Sequence, residues 1–246
     1  MVAKKNAVTI GLVQTSLSDD IKNNMEKTIV KIRDAAKKGA QIICLQELYR
    51  TKYFPTDERK DVTQLAETIP GETTLTFSNL AKELNVVIIA PIFEVDGSGK
   101  HYNTAVVIGK DGTLMGSYRK MHIPHDPFFY EKSYFDVGDS GYQIFRTHDL
   151  SFGVLICYDQ WFPEAARTLA LQGADVIFYP SAIGYLEDDP LSKEDWHYAW
   201  ENIQRSHAIA NGIHIASINR VGTEGKIKFW GSSFVCDAFG RLIKRA

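Results

Sequence analysis

The chain has few cysteines, no excess of charge of either sign and no long hydrophobic runs. It carries three cysteines in 246 residues, and 28 basic against 30 acidic residues leave a net charge of −2. A small odd number of cysteines argues against a disulfide framework and is typical of a reducing compartment. The near balance of charge gives no electrostatic reason to expect a nucleic-acid partner.

No apolar stretch approaches the length that spans a bilayer, so the sequence predicts no membrane-embedded segment. Residues 1–6 have neither the apolar core nor the cleavage site of a signal peptide, and we expect a cytoplasmic protein. Because there is no linker, repeat or low-complexity stretch, we interpret residues 1–246 as a single domain with a substantial core.

Strand-like and helical segments alternate along the chain, which predicts an α/β fold. Strands are expected at 8–13, 41–45, 86–90, 104–108, 113–118, 152–156, 176–179, 213–218 and 233–237. Helices are expected at 25–36, 74–84, 163–171 and 192–211. The turn Lys110-Asp111-Gly112 indicates a hairpin. Hairpins mixed with β-α units favour a layered α/β sandwich over a pure Rossmann sheet or a regular barrel.

Cys157 is the first candidate for a functional residue. It follows the apolar run 152–156 and precedes a predicted helix with Pro163 in its first turn. A thiol at such a strand-to-helix bend can be exposed beside backbone N–H groups, as a nucleophile requires. On its own, a cysteine after an apolar run is more typical of an inert core residue. The assignment therefore depends on the residues that accompany it.

Three charged residues could complete such a site. Glu47 follows the predicted strand 41–45, at the strand end where ligand sites of α/β sheets gather. Lys120 ends a hairpin strand, and Glu131 lies in an aromatic-rich segment beyond it. Each alone is typical of surface charge. Together with Cys157 they supply the nucleophile, the base and the positive charge that acyl transfer from an amide needs.

These separated motifs resemble those of the nitrilase superfamily of carbon–nitrogen hydrolases, in order and over nearly the whole chain. The motifs are Glu47, then Lys120-Met121-His122 with Glu131 behind it, then Cys157-Tyr158-Asp159-Gln160-Trp161-Phe162-Pro163-Glu164. The resemblance implies an α/β fold of the four-layer α-β-β-α sandwich type. It also implies a homodimer or higher homo-oligomer, and no metal or organic cofactor.

The resemblance further implies a role for each motif residue. Glu47 would be the general base and Cys157 the nucleophile. Lys120 would stabilise the oxyanion, and Glu131 would be the positioning carboxylate. The backbone N–H of Tyr158 would complete the oxyanion hole. Within the superfamily the chain is most similar to the N-carbamoylputrescine amidases, which implies a small-molecule N-carbamoyl amine as substrate.

The residues after Cys157 bear on the charge of the substrate. Relatives that cleave N-carbamoyl amino acids tend to carry an arginine there, because a guanidinium binds a carboxylate with two hydrogen bonds. This chain has Gln160-Trp161, and Arg167 lies farther along the predicted helix. The acidic segment 180–189, interpreted as a loop, offers Glu187 as the partner of a substrate ammonium group. This pattern favours a carbamoylated amine over an acidic substrate.

Further substrate contacts are expected from aromatic and polar residues around these motifs, including a histidine that could orient Glu131 or the substrate loop. They are Tyr53, Phe54, His122, Tyr130, Trp161, Ser181 and Tyr185.

Two departures from the family pattern stand out. His125 replaces an expected acidic residue, and the chain ends at 240–246, where relatives continue with another strand and a tail. Either a fragment or a reduced dimer interface would explain the second departure.

Other functions are compatible with the sequence. A simple amidase, a β-ureidopropionase-like enzyme and an N-carbamoyl amino acid amidase would share the same motifs. A binding or scaffold protein that retains the fold is less favoured, because the four charged and thiol residues are all present. A redox thiol protein is also less favoured, because no second cysteine lies near Cys157 in the sequence.

Overall fold

The computed structural model describes residues 7–58, 61–186 and 193–246. Its α-helices are α1 (Ile21–Lys37), α2 (Glu72–Leu84), α3 (Pro163–Leu171) and α4 (Lys193–Asn211). Its strands are β1 (Ile10–Val13), β2 (Ile42–Leu45), β3 (Val87–Val95), β4 (His101–Ile108), β5 (Leu114–Arg119), β6 (Ile144–Arg146), β7 (Ser151–Val154), β8 (Val176–Ser181), β9 (Gly184–Leu186), β10 (His214–Asn219), β11 (Val221–Glu224), β12 (Ile227–Trp230), β13 (Phe234–Cys236) and β14 (Leu242–Arg245).

The strands form two large mixed sheets and one small one. The first large sheet has the order β1-β2-β3-β4-β5, with β1, β2 and β3 parallel and β4 and β5 added as antiparallel hairpin strands. The second has the order β14-β13-β10-β8-β7-β6, with β7, β8 and β10 parallel. The third joins β11, β12 and β9 antiparallel. The parallel strands of each large sheet end together, which creates the edge where polar loops can meet.

Helices cover the outer faces of both large sheets. On the first sheet, Ile32 of α1 and Phe77 of α2 pack with Ile43 and Ile88 in one buried cluster. Leu169 of α3 and Trp200 of α4 belong to the cluster that includes the second sheet: Val154, Ile177, Phe178 and Ile215. That same cluster contains Cys44, Ile89 and Val107 of the first sheet, so the two sheets pack against each other. The predicted α-β-β-α sandwich is confirmed.

Most predicted elements are present, with shifts at their ends. The helix predicted over 163–171 is α3, and the hairpin at 110–112 joins β4 to β5. The prediction of a loop over 180–189 is wrong for its first part. Residues 180 and 181 belong to β8, and β9 pairs with β12 across the chain. Among the described residues, no helix is both long and apolar enough to cross a membrane.

Candidate active site

The four residues of the predicted site come together at one edge of the sandwich. Glu47 lies just after β2 and Lys120 just after β5, both from the first sheet. Cys157 lies just after β7 of the second sheet. Glu131 begins a short 3-10 turn, Glu131–Ser133, on the segment that follows Lys120. Residues that are far apart in sequence therefore meet because the strand ends face one another.

A buried ion-pair network links three of these residues. The Lys120 Nζ donates to Glu47 Oε1 at 2.8 Å and to Glu131 Oε2 at 2.7 Å. All three side chains are at most 1% exposed. One ammonium and two carboxylates leave the cluster with one net negative charge when all are ionised. A buried charge is tolerated only when it is paired and hydrogen-bonded, as each of these is.

Each carboxylate has a second set of donors that fixes its orientation. Asn103 Nδ2 on β4 donates to Glu47 Oε1 at 2.7 Å, and the backbone N–H of Ala182 donates to Glu47 Oε2 at 2.7 Å. The Tyr53 hydroxyl donates to Glu131 Oε1 at 2.7 Å. Because both oxygens of each carboxylate are engaged, neither side chain can rotate without breaking a charge-assisted hydrogen bond.

Cys157 is held in a left-handed backbone conformation. Its φ is 44°, which a non-glycine residue adopts only at a cost of about 1–2 kcal/mol. Asp159, fully buried, fixes this bend by accepting from the Ile156 N–H at 2.8 Å and from the Tyr118 hydroxyl at 2.8 Å. The bend opens the 3-10 turn Cys157–Trp161, ahead of α3. The thiol is thereby turned toward the strand ends.

His122 contacts the same aspartate. Its backbone N–H donates to Asp159 Oδ1 at 3.1 Å, and its Nδ1 lies 2.7 Å from that oxygen. The imidazole also stacks on Phe162, with ring centroids 3.6 Å apart. Asp159 therefore joins the segment after Lys120 to the bend at Cys157. The structure places His122 on Asp159, whereas the sequence interpretation suggested a contact with Glu131 or the substrate loop.

Arg220 supports the backbone at Glu47. Its Nη2 donates to the carbonyl oxygens of Glu47 and Leu48, each at 2.9 Å, and Leu48 has a φ of 47°. Its Nη1 bonds both oxygens of Glu224, at 3.0 and 2.9 Å. Glu224 Oε2 in turn accepts from the Tyr53 N–H at 2.6 Å. This fully buried guanidinium therefore holds the left-handed bend that follows the proposed base.

The electrostatic environment sets the protonation of the cluster. Burial raises the pKa of the Cys157 thiol well above its ordinary value, and the charge of Glu47 raises it further, against the opposing effect of Lys120. Burial alone would lower the pKa of Lys120, but the attraction of Glu131 and Glu47 outweighs it, so this pKa is raised. Burial and the negative charge of Glu47 raise the pKa of Glu131 to about 7, against the opposing effect of Lys120. The thiol is thus protonated at rest and needs a base.

A cavity of about 470 Å³ opens beside Cys157. Its described lining is mostly apolar and aromatic: Pro124, Asp126, Pro127, Phe129, Glu131, Cys157, Tyr158, Gln160, Trp161, Ala182, Ile183, Gly184, Tyr185, Leu186 and Trp196. None of these residues is a lysine or an arginine. A cavity of this size holds a small ligand.

The residues predicted to bind substrate divide into two groups. Trp161 and Tyr185 line the cavity. The others are engaged elsewhere among the described residues. Tyr53 donates to Glu131, Ser181 donates to the Tyr179 carbonyl at 3.2 Å, and Tyr130 packs against His125. Phe54 packs on Phe93 in a separate aromatic cluster. Glu187 lies outside the described residues.

Sequence reasoning did not identify Asn103, Asp159, Ala182 and Arg220. Asn103 meets Glu47 across 56 residues of sequence, and Arg220 meets it across 173. A short-range pattern carries no signal for such pairs. The sequence does hold one hint for Asp159. An acidic residue two positions after a cysteine at a bend can accept hydrogen bonds from the backbone N–H groups of that bend.

Among the described residues, no group of three or more histidine, cysteine or acidic side chains is arranged to hold a metal ion.

The family model for carbon–nitrogen hydrolases matches residues 9–246. The chain belongs to the carbon–nitrogen hydrolase family. As a member of that family it is a hydrolase that acts on carbon–nitrogen bonds, and its resemblance to the nitrilase superfamily is confirmed.

This hydrolase is 41% identical over 256 residues to an N-carbamoylputrescine amidase of Solanum lycopersicum, an alignment that covers 100% of this chain and 84% of that enzyme. It is 38% identical over 244 residues to a citrullinase of Francisella tularensis subsp. tularensis, covering 97% of this chain and 84% of that enzyme. The crystal structure of a carbon–nitrogen hydrolase from Helicobacter pylori G27 superposes with a TM-score of 0.93 at 43% identity, covering 97% of this chain and 85% of that one.

Proposed function

We infer that the protein hydrolyses the ureido carbon–nitrogen bond of N-carbamoylputrescine, giving putrescine, ammonia and carbon dioxide. The observation that carries this inference is the buried cluster of Glu47, Lys120 and Glu131 at the cavity beside Cys157, whose described lining has no basic side chain. The similarity to an N-carbamoylputrescine amidase supports the same substrate class. The roles below follow from the chemistry of the named groups.

Acylation begins with proton transfer from Cys157 to Glu47. The thiolate attacks the ureido carbon, and the carbonyl oxygen becomes an oxyanion. The Lys120 ammonium and the backbone N–H of Tyr158, near the start of a 3-10 turn where N–H groups lack internal acceptors, stabilise this oxyanion. The carbon–nitrogen bond to the terminal NH₂ breaks, and Glu47 returns the proton to the leaving group. Ammonia departs, and the alkylcarbamoyl group stays on the sulfur.

Deacylation uses the same groups, with water as the nucleophile and the Cys157 sulfur as the leaving group. Glu47 takes a proton from water, and the hydroxide attacks the thioester-type carbonyl. The carbon–sulfur bond breaks, and the proton returns to Cys157. The released alkylcarbamic acid decomposes to the amine and carbon dioxide. Glu131 takes no proton in this scheme; with Tyr53 it holds Lys120 in place.

The charge of the site supports an amine substrate over an N-carbamoyl amino acid. A substrate carboxylate would face the net negative cluster without a guanidinium or ammonium in the described lining. The similarity to a citrullinase makes a ureido amino acid the alternative substrate. A β-ureidopropionase-like activity would bring an anionic substrate to the same cavity. A substrate panel separates these possibilities.

The test measures ammonia release from N-carbamoylputrescine, L-citrulline, 3-ureidopropionate, butyramide and a simple nitrile. We expect the highest kcat/KM for N-carbamoylputrescine. Cys157→Ala should release no ammonia while keeping the wild-type circular dichroism spectrum and unfolding midpoint. Normal turnover by this variant would show that Cys157 is not the nucleophile. A preference for 3-ureidopropionate or butyramide would show that N-carbamoylputrescine is not the main substrate.

The sequence also predicts that Glu187 binds the substrate ammonium. Because this residue lies outside the described residues, its role stays a prediction from the sequence. Glu187→Gln should raise KM for N-carbamoylputrescine far more than for a neutral ureido compound. Equal effects on both substrates would argue against it.

The proposal includes a homo-oligomer in the cytoplasm. We use the name α3–α4 face for four exposed apolar side chains on α3, on α4 and in the β13–β14 turn: Leu171, Tyr198, Ile209 and Phe239. Gly240, after Phe239, lies against Ile209, so the β13–β14 turn continues this surface. A second copy of the chain is the proposed occupant, as the family resemblance leads us to expect. The three free cysteines suit a reducing compartment.

A further inference from the structure

The described lining of the cavity has one carboxylate that the catalytic cluster does not use. Asp126 lines the cavity with an exposed side chain. Within the part of the chain that the structure describes, no hydrogen bond or ion pair engages its carboxylate. The other acidic residue of the described lining, Glu131, is bound by Lys120 and Tyr53. Asp126 is therefore the acidic group there that is available to a ligand.

The backbone holds Asp126 close to the reacting groups. The Phe129 N–H donates to the Asp126 carbonyl at 2.8 Å, which closes a turn in which Phe128 has a φ of 64°. This turn belongs to the segment between Lys120 and Glu131, and both ends of that segment are fixed in the buried cluster. The carboxylate is thus carried on a short, anchored connection.

Asp126 lines the same cavity as Cys157 and Tyr158. Burial and then the negative charge of Asp126 raise the pKa of the Tyr158 phenol, and Tyr158 directly follows Cys157. Two basic side chains close to this turn have other contacts among the described residues. His125 Nε2 lies 3.4 Å from Glu58, and the Lys226 ammonium lies 5.1 Å from the centre of the Phe128 ring. The negative charge at the cavity is therefore not neutralised by them.

The remaining wall suits an alkyl chain. Phe129, Trp161 and Leu186 give an apolar surface to the cavity that Cys157 and Asp126 also line. Methylene groups gain from burial against such a surface, whereas an ammonium group needs a carboxylate or water. A ligand with a ureido group at Cys157, an apolar spacer and a terminal cation would match the cavity along its length.

We propose that Asp126 binds the distal ammonium group of a carbamoylated alkylamine and so selects cationic over neutral and anionic substrate tails. This role rests on the proposed function, and it assigns the choice of substrate class to Asp126. Asp126 forms an ion pair with the ammonium at the rim, and no covalent step involves it. It acts on substrate binding, so its effect belongs in KM and not in kcat.

The test compares three ureido compounds of similar length: N-carbamoylputrescine, its neutral isostere pentylurea and the anionic 4-ureidobutanoate. Asp126→Asn should raise KM for N-carbamoylputrescine roughly tenfold, as for the loss of one charge-assisted hydrogen bond. The KM for pentylurea and both kcat values should stay near wild type. Asp126→Lys should lower KM for 4-ureidobutanoate. The matched control, Asp149→Asn, removes a carboxylate that pairs with His148 away from this cavity and should change none of these values.

A binding measurement separates this proposal from the proposed function. Calorimetric titration of N-carbamoylputrescine and pentylurea into Cys157→Ala, with and without Asp126→Asn, needs no turnover. Weaker binding of the cation alone supports the Asp126 role, even if the wild-type protein fails to hydrolyse N-carbamoylputrescine and the proposed function is wrong. Equal changes for both ligands, or no change for either, overturn the Asp126 role whatever the wild-type activity is.

Discussion

Glu47 accepts hydrogen bonds from donors in three separate parts of the fold. Lys120 and Asn103 both bond Oε1, and the Ala182 N–H bonds Oε2. A base that must first face a thiol and later a water molecule benefits from a fixed orientation, because misplacement of a catalytic group costs rate steeply. The donors around Glu47 therefore act on kcat through its position.

The contact of Asn103 with Glu47 can be tested by Asn103→Ala. Loss of a hydrogen bond to a charged group costs about 1.5–3 kcal/mol, so we expect kcat to fall roughly tenfold to a hundredfold with KM little changed. Steady-state kinetics on N-carbamoylputrescine measures this split. Asn23→Ala, on the exposed surface of α1, is the control. A variant with unchanged kcat would show that Asn103 does not position the base.

The pKa of Glu131 predicts the acid side of the pH profile. Burial raises this pKa to about 7, so lowering the pH through that value protonates Glu131 and weakens its hold on Lys120. We expect kcat/KM to fall as the pH drops below about 7. Glu131→Gln, which cannot titrate, should be slower at every pH and should lose this inflection. If the variant kept the same inflection, another group of the coupled cluster would be responsible.

At this scale the sequence predicts the reacting residues better than their supports. Glu47, Lys120, Glu131 and Cys157 are recognisable because each belongs to a motif that resembles the family pattern. Arg220 is not, because its partners at Glu47 and Leu48 are joined only by the folded chain.

At the scale of elements, β7 and α3 must pack closely for Cys157 to be presented between them. A Cβ on Gly153 in β7 would lie 2.6 Å from Leu169 Cδ1 and 2.9 Å from its Cδ2. This contact lets the helix that follows the nucleophile lie directly against the strand that precedes it. The glycine is needed here for space and not for its backbone freedom.

The variant Gly153→Ala should therefore destabilise the protein, by about 1–3 kcal/mol for an overpacked core. Gly153→Ala/Leu169→Ala should lose less than the sum of the two single variants, because the added methyl group occupies space that the shortened side chain leaves. Denaturant unfolding of the four proteins gives the coupling free energy. Strictly additive losses would mean that the two side chains do not compete for the same space.

Elements with a clear apolar pattern can be predicted from the sequence, whereas five of the short strands cannot. The helices and the buried parallel strands follow apolar patterns long enough to recognise. The strands β6, β9, β11, β12 and β14 were missed. Each has only three or four residues, and β9 pairs with β12 across some forty residues, so their existence depends on tertiary pairing.

At the scale of the whole molecule, the α3–α4 face predicts self-association. Its exposed apolar side chains include Leu171 at 78% and Ile209 at 58% exposure. We expect light scattering after gel filtration to give twice the mass of one chain, and Ile209→Lys to reduce it to a single chain. Val30→Lys, an exposed apolar residue on α1 of the opposite layer, is the matched control and should stay dimeric. A wild-type protein that elutes as a monomer would contradict the dimer.

Because the site lies where the two sheets meet, it cannot form in an incompletely folded protein. Glu47 and Lys120 belong to one sheet, and Cys157 belongs to the other, so the thiol meets its base only when the sandwich has closed. An intermediate with native helices but loosely docked layers would hold an ordinary thiol, without an adjacent proton acceptor. We therefore expect the Cys157 thiol to become reactive only once the two sheets have packed together.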